Sequence, residues 1–318
     1  EGKTTTADTI RIAKENDDVD KEVDAIIAKV EREFDKNNTT ENIASQSKIA
    51  SIASKRIMVI DGAMGTMIQK RNLSEDDYRG KMFASHTVNI KGCNDLLCLT
   101  NPEIIKDIHR MYLNAGADII ETNTFNAQRI SMKDYRLEDI CRDINLAACR
   151  IAREIADEYT SKTPDKPRFV AGSIGPTSKT CSISSDTTQP GWETFSFDNL
   201  KKAYLEQAEA LLEGGVDAFI IETIFDTLNA KAAIDSVRTA IRKSGKNVPI
   251  MLSFTVTGSE GYNMLGQSIE KFIEDICGDD ILSVGINCCA NVDVIEPLLL
   301  RLGAKTPYLI SVYPNAGL

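Results

Sequence analysis

The residues best able to do chemistry in this chain stand at the ends of short apolar runs. Near the C-terminus the sequence reads S-V-G-I-N-C-C-A-N-V, with Cys288 and Cys289 side by side. Adjacent cysteines after a strand serve as metal ligands, as a redox pair or as small buried hydrophobes. Far upstream, D-G-A-M-G-T (61–66) follows another apolar run. Its glycines let backbone N–H groups converge on an anion, and Asp61 beside them offers a carboxylate to an ammonium. Glu222 closes the run A-F-I-I-E, where an inward-facing carboxylate is partly desolvated and needs a cationic or hydrogen-bonding partner. An anion-binding turn with two acids has the chemistry of a receptor for a zwitterionic amino acid. The same residues also suit a tight turn and capped loops, and spacing alone leaves both readings open.

Other chemistries fit less well. G-x-G-x-x-G is absent and no G-K-[ST] follows the turn, so a carboxylate suits it better than a polyphosphate. Catalytic zinc takes three protein ligands, and a lone thiolate falls short of that. Cys93, Cys98, Cys141, Cys149, Cys181 and Cys277 form no C-x-x-C, and His86 and His109 sit in polar or helical contexts. On the residues alone, a buried structural cysteine is therefore the default reading of the pair. Strand alternation turns only one of two neighbours toward a given face. Cys288 is expected to face the site, with Cys289 turned to the surrounding helices.

Elements must bring these residues together. From Arg56 onward, β-branched runs at 57–61, 119–122, 169–173, 218–223, 250–256, 282–288 and 308–313 alternate with helical stretches such as 101–115 and 137–159. That alternation gives parallel strands joined by covering helices, an α/β fold. Y-L-N-A-G-A-D-I-I-E-T-N-T-F (112–125) and L-L-E-G-G-V-D-A-F-I-I-E-T-I-F (211–225) nearly repeat each other as helix, glycine cap, strand, acid and threonine. Such repetition favours a barrel over one asymmetric sheet. In a barrel the C-terminal strand ends hold the chemistry. Asp61, Glu121, Thr122, Asn123, Ser173, Glu222, Thr223, Asn287 and Cys288 all fall at or just past such ends.

Length and composition set the bounds. A chain of 318 residues with 42% hydrophobic content can form one large barrel domain. A net charge of −10 at pH 7 argues against nucleic acid or an anionic membrane surface as partner. No basic-plus-apolar leader and no long apolar run appear, which with the cysteine pattern points to a reducing, cytoplasmic compartment. Residues 1–54 are polar, with one helical stripe formed by Val19, Val23, Ile26, Ile27, Val30 and Phe34, and are expected to lie outside the domain at 55–318. The first residue is Glu1, so a partial or processed chain is expected.

The motifs R-I-M-V-I-D-G-A-M-G-T-M-I-Q, A-G-A-D-I-I-E-T-N-T-F-N-A-Q, F-V-A-G-S-I-G-P-T, I-I-E-T-I-F-D-T-L-N-A-K-A-A, S-V-G-I-N-C and Y-P-N-A-G-L occur in that order across about residues 55 to 318. Together they resemble the homocysteine-binding module of cobalamin-dependent methionine synthases. The resemblance implies a (β/α)8 TIM-type barrel, here truncated before its eighth strand. It further implies zinc held by three thiolates, with homocysteine sulfur as the fourth ligand attacking the methyl group of methylcobalamin. Cys288 matches the first zinc ligand. Asp61 and Glu222 match acids that hold the substrate amine, and Gly65 and Thr66 fall where backbone N–H groups receive its carboxylate. The other two ligands of the family, in a G-G-C-C motif, are not in this sequence, and the chain alone is expected to be inactive. Folate- and cobalamin-binding modules are the implied partners, with cobalamin bound by one of them. G-Y-N-M-L-G-Q (261–267) departs from the usual Arg-Thr-Leu-Ser stretch. The alternatives are a stand-alone homocysteine S-methyltransferase using an S-methyl donor and a non-catalytic amino-acid-binding barrel.

Overall fold

A computed structural model describes residues 47–179, 196–276, 278–289 and 292–315. The helical stripe expected at 19–34, Cys181 and Cys277 lie outside the described residues. Six strands, β1 (Ile119–Glu121), β2 (Phe169–Ile174), β3 (Ala218–Ile224), β4 (Ile250–Phe254), β5 (Ile281–Asn287) and β6 (Leu309–Tyr313), pair in parallel and in chain order. They curl into an open half-barrel flanked by helices, the α/β, TIM-type architecture that the repeats imply. Right-handed crossovers through a helix put neighbouring strands side by side in this way.

Alternation within each strand sorts the core into two layers. Ile119, Phe169, Ala171, Ala218, Ile220 and Met251 pack inward, while Ile120, Val170, Phe219, Ile221, Leu252 and Phe254 join the layer between sheet and helices. Both faces are thus covered, which is why the strands read as nearly continuous apolar runs.

The helices begin and end on local chemistry. Pro102–Ala115 opens with proline in its first turn and closes on Gly116 at φ 113°. Thr227–Ser244 is capped by Asp226, which accepts from the N–H groups of Leu228 and Asn229 at 2.8 and 3.4 Å. Asn229 in turn donates to Thr177 Oγ1 at 2.7 Å, so the I-F-D-T-L-N motif fastens the loop after β2. Acids before the strands repeat one device. Asp118 accepts from the Val59 N–H and pairs with Arg56, and Asp217 accepts from the Val170 N–H and pairs with Arg153. Two motif glycines are steric: a Cβ at Gly285 would sit 1.9 Å from the Ser311 carbonyl oxygen, and one at Gly175 would sit 2.5 Å from that of Phe125.

One expectation needs correction. The run at 57–61 forms a single parallel bridge, Ile60 to Ile119, rather than a strand. Val59 O accepts from the Ile119 N–H and Asp61 N donates to Ile119 O, but Ile57 and Val59 stay 43% and 52% exposed. Paired along one side only, the segment gains no ladder beyond these bonds. Helix Lys48–Ala53, capped by Ser47, buries Ile49 and Ala50 against Ile119, Phe169, Ala218 and Ile220 near the strands' N-terminal ends. The apolar spacing there is too short to register as a helical stripe.

Candidate functional site

The inward-facing series ends in polar residues on one rim: Glu121 after Ile119, Ser173 after Ala171, Glu222 after Ile220, Asn287 after Gly285 and Tyr313 after Ser311. Asp61 joins them where the bridging segment ends, both its oxygens accepting from the Glu121 N–H at 3.1 Å. Glu222 accepts from the Ser173 hydroxyl through Oε1 and from Tyr313 OH at 3.5 Å through Oε2. Glu121 and Glu222 are close enough for each carboxyl to shift the other. As a residue Glu121 is partly exposed, but its Oε1 is closed off from solvent without a donor.

Three carboxyl groups therefore meet with no Lys or Arg between them among the described residues. Burial pushes Asp61 well above the usual carboxylate range, the Glu222 charge adding to the shift while the Glu121 N–H opposes it. Burial also raises Glu121 strongly, with Glu222 and Asp61 reinforcing it. Glu222 is raised by burial against the Ser173 and Tyr313 hydrogen bonds, and burial beside these acids lifts Tyr313 as well. His109, on Pro102–Ala115, is fully buried with neither ring nitrogen hydrogen-bonded, its Nδ1 4.0 Å from Asp61 Oδ2. Burial lowers its pKa to about 4, so it stays neutral near neutral pH and supplies no counter-charge.

Gly65 and Thr66 lie in the first turn of helix Met64–Gln69, directly after Asp61. Ala63 at the N-cap provides no side-chain acceptor, so this turn has no cap of its own.

Cys288 reaches the rim by a different route from the one expected. Alternation sends Ile286 to the helix side and Asn287 inward, which on its own would turn Cys288 outward. Instead Cys288 adopts φ 49°, and Thr223 opposite it adopts φ 55°. Left-handed backbone at a β-branched residue is strained and persists only where its surroundings hold it. Asn287, fully buried, does the holding. Its Oδ1 accepts from the Thr223 N–H at 3.1 Å and the Ser253 hydroxyl at 2.8 Å, while its Nδ2 donates to Thr223 Oγ1 at 2.8 Å and Cys288 Sγ at 3.3 Å. The Cys288 sulfur is exposed; Cys289 is buried in the sheet–helix layer, its thiol pushed up to about 11 by burial.

A family model for homocysteine S-methyltransferase matches residues 58–318. The chain belongs to the homocysteine S-methyltransferase family. Crystal structures of the homocysteine methyltransferase MmuM from Escherichia coli share its fold. The metallated form has 23% sequence identity and a TM-score of 0.66, covering 85% of this chain and 87% of that one. The oxidized form, also at 23%, has a TM-score of 0.67 and covers 86% of each chain.

For this family member the donor set is short. Among the described residues no group of three or more His, Cys, Asp or Glu side chains is arranged to hold a metal ion, and Cys288 is a single sulfur donor. Among the described residues, too, no helix is long and apolar enough to cross a membrane. Sequence reasoning placed Glu121 on the rim without giving it a role, although the near-repeat with Glu222 carried the signal. His109 and Tyr313 were missed, since no pattern marks a buried, unpartnered imidazole or a phenol aimed at an acid.

Proposed function

We propose that this chain is the homocysteine-binding barrel of a cobalamin-dependent methionine synthase. The observation that carries the reading is the buried acid cluster, without a cation among the described residues, placed next to an uncapped helix turn and on the rim that bears an exposed thiol. Asp61 and Glu222 receive the substrate ammonium, whose charge compensates desolvated carboxylates. The first-turn N–H groups of Gly65 and Thr66 receive its carboxylate. Cys288, fixed by Asn287 and Thr223, then lies toward the substrate's sulfur end.

Zinc suits the exposed, oriented sulfur of Cys288, and when bound it lowers the pKa of a ligated thiol so that a thiolate forms near neutral pH. Among the described residues, Cys288 is the sulfur donor that stands on the rim. Cobalamin is bound by another module, and folate- and cobalamin-binding modules are the partners. The six described cysteines are all free thiols, in keeping with the reducing cytoplasm.

Calorimetry with L-homocysteine tests the receptor, and 4-sulfanylbutanoate, which lacks the amine, is expected to bind far more weakly. Equal binding of the two would remove the role of the acids. In the full-length enzyme, methionine should form from methylcobalamin. Formation from an S-methylsulfonium donor instead would make the protein a stand-alone methyltransferase, and amino-acid binding without either reaction would make it a non-catalytic barrel.

A further inference from the structure

His109 sits at 0% exposure on helix Pro102–Ala115, on the face it shares with Ile105, Ile108 and Leu113, and both its ring nitrogens lack a hydrogen-bond partner among the described residues. A neutral imidazole always carries one N–H, so a donor is buried here with its bond unmade, and such a group is costly unless a partner comes within reach. An apolar ring would fill the same helix face without that cost, so packing alone does not account for an imidazole at this position. Asp61 Oδ2 lies 4.0 Å from Nδ1, and the two side chains are 2% and 0% exposed, which leaves little room for water to compete. Asp61 accepts the Glu121 N–H on both oxygens at 3.1 Å, and a carboxylate so bonded keeps acceptor capacity on each. The separation from His109 is about 1 Å longer than a hydrogen bond between an N–H and a carboxylate. Functional hydrogen bonds are often long in a free site and tighten once it is filled.

We propose that His109 is a positioning residue for Asp61: its Nδ1–H closes on Asp61 Oδ2 when an amino acid fills the site, and fixes that carboxylate toward the ligand ammonium. The imidazole touches no ligand atom and no proton changes owner. The carboxylate is then held on two sides, by the Glu121 N–H on β1 and by His109 on the helix that leads into β1, which leaves its remaining lone pairs for the ammonium. The buried N–H finds its acceptor in the filled site, so the effect falls on ligands that engage Asp61 through an amine. This inference rests on the amine-binding reading of Asp61.

Calorimetry with L-homocysteine and with 4-sulfanylbutanoate, which lacks the amine, separates its failure from the failure of that reading. His109→Phe keeps a planar ring and removes both nitrogens. It should lower the preference for L-homocysteine by about tenfold, the size expected for a hydrogen bond to a charged group, and leave 4-sulfanylbutanoate binding unchanged. His109→Asn, whose amide sets a donor where Nδ1 stood, should restore most of that preference. In an Asp61→Asn background His109→Phe should cause little further loss, because the partner through which it acts is gone. A structural role alone would weaken both ligands alike and would persist without Asp61. Full preference in His109→Phe, or an equal loss in the Asp61→Asn background, overturns the proposal and leaves the amine reading standing. Equal binding of the two ligands by the wild type overturns the amine reading, and the proposal with it. A second measurement needs no variant to fold. The chain has 2 histidines, so NMR of the ring nitrogens resolves them, and with L-homocysteine bound His109 should carry its proton on Nδ1. A proton on Nε2 instead overturns the proposal, since that tautomer has nothing to donate to Asp61.

Discussion

The strand ends at Glu121-Thr122 and Glu222-Thr223 are near-copies in sequence, yet they have different work to do. In each, a glycine-capped helix leads into an apolar strand whose inward series closes on glutamate. Glu222 is bound by Ser173 and Tyr313, whereas Glu121 Oε1 is unpartnered. Thr122 turns its hydroxyl into the fold, accepting from the Ser173 N–H at 3.0 Å and lying 2.7 Å from Thr124 Oγ1. Thr223 takes left-handed backbone and faces Cys288. A local motif thus delivers an acid to the rim, but the neighbouring strand end decides what that acid and its threonine do. Beside β2 the threonine continues a ladder; beside β5 it meets Asn287 and becomes part of the site.

The largest expected effect separates the two glutamates by binding. Glu222→Gln should weaken L-homocysteine binding at least tenfold, since loss of one partner from a desolvated charge pair costs about 2–5 kcal/mol. Asp61→Asn should act similarly, whereas Glu121→Gln, which removes a carboxyl that burial disfavours as a charge, should weaken it less. Calorimetry on the three variants decides the order, and a Glu121→Gln loss equal to that of Glu222→Gln would erase the distinction.

Next comes the threonine of the first copy. Thr122→Val keeps the shape but leaves the buried Ser173 N–H without its acceptor. An unsatisfied buried donor costs about 1–3 kcal/mol. For a chain of this size the thermal midpoint should fall by about 2–10 °C. Thermal unfolding at fixed pH reads this directly, and an unchanged midpoint would show that the hydroxyl is not a structural acceptor.

The pH dependence of stability sharpens the contrast between the acids. Asp61, Glu121 and Glu222 all have folded pKa values above their unfolded ones, so the folded protein binds more protons than the unfolded chain. Stability from these groups is present below the ordinary carboxylate range, near pH ~4, and falls as pH rises toward the raised folded values. His109, at about 4 in the folded state, works in the opposite sense between there and its ordinary value of about 6.5. Asp95, raised to about 6 by burial, adds to the acids' trend below that value. Glu121→Gln should flatten the decline that begins above the ordinary carboxylate range, by up to about 1.4 kcal/mol per pH unit. Denaturant titrations from about pH 4 upward check the slope; equal slopes in variant and wild type would show that Glu121 does not carry the trend.

Much of this arrangement was legible in the sequence because it rests on periodicity. Apolar runs gave β1 to β6, the glycines of A-G-A-D and G-G-V-D marked turns that adopt positive φ at Gly116 and Gly215, and inward alternation put Glu121 and Glu222 at one rim. The rest depended on contacts that periodicity does not encode. The run at 57–61 looks like a strand but pairs along one side only, and Ile49 and Ala50 join the core from a helix of six residues. Cys288 faces the rim because its backbone leaves the extended region, which alternation cannot foresee. His109 is part of a regular helical stripe, and only the fold reveals Asp61 beside it.

The smallest expected effect is the most discriminating for the two threonines. Replacing Thr223 by glycine relieves left-handed backbone worth about 1–2 kcal/mol in an L-residue. Against this stand the lost hydrogen bond from Asn287 Nδ2, about 0.5–1.5 kcal/mol, and the conformational entropy of glycine, about 0.5–1 kcal/mol. The terms nearly cancel, and the thermal midpoint should stay within about 4 °C of the wild type. Thr122 is absent from the positive-φ residues, so Thr122→Gly gains no relief and loses the same kinds of interaction in a fully buried setting. It should destabilise by clearly more. If Thr223→Gly costs as much as Thr122→Gly, the left-handed turn facing Cys288 is not strained, and Asn287 orients the sulfur without holding the backbone against a preference of its own.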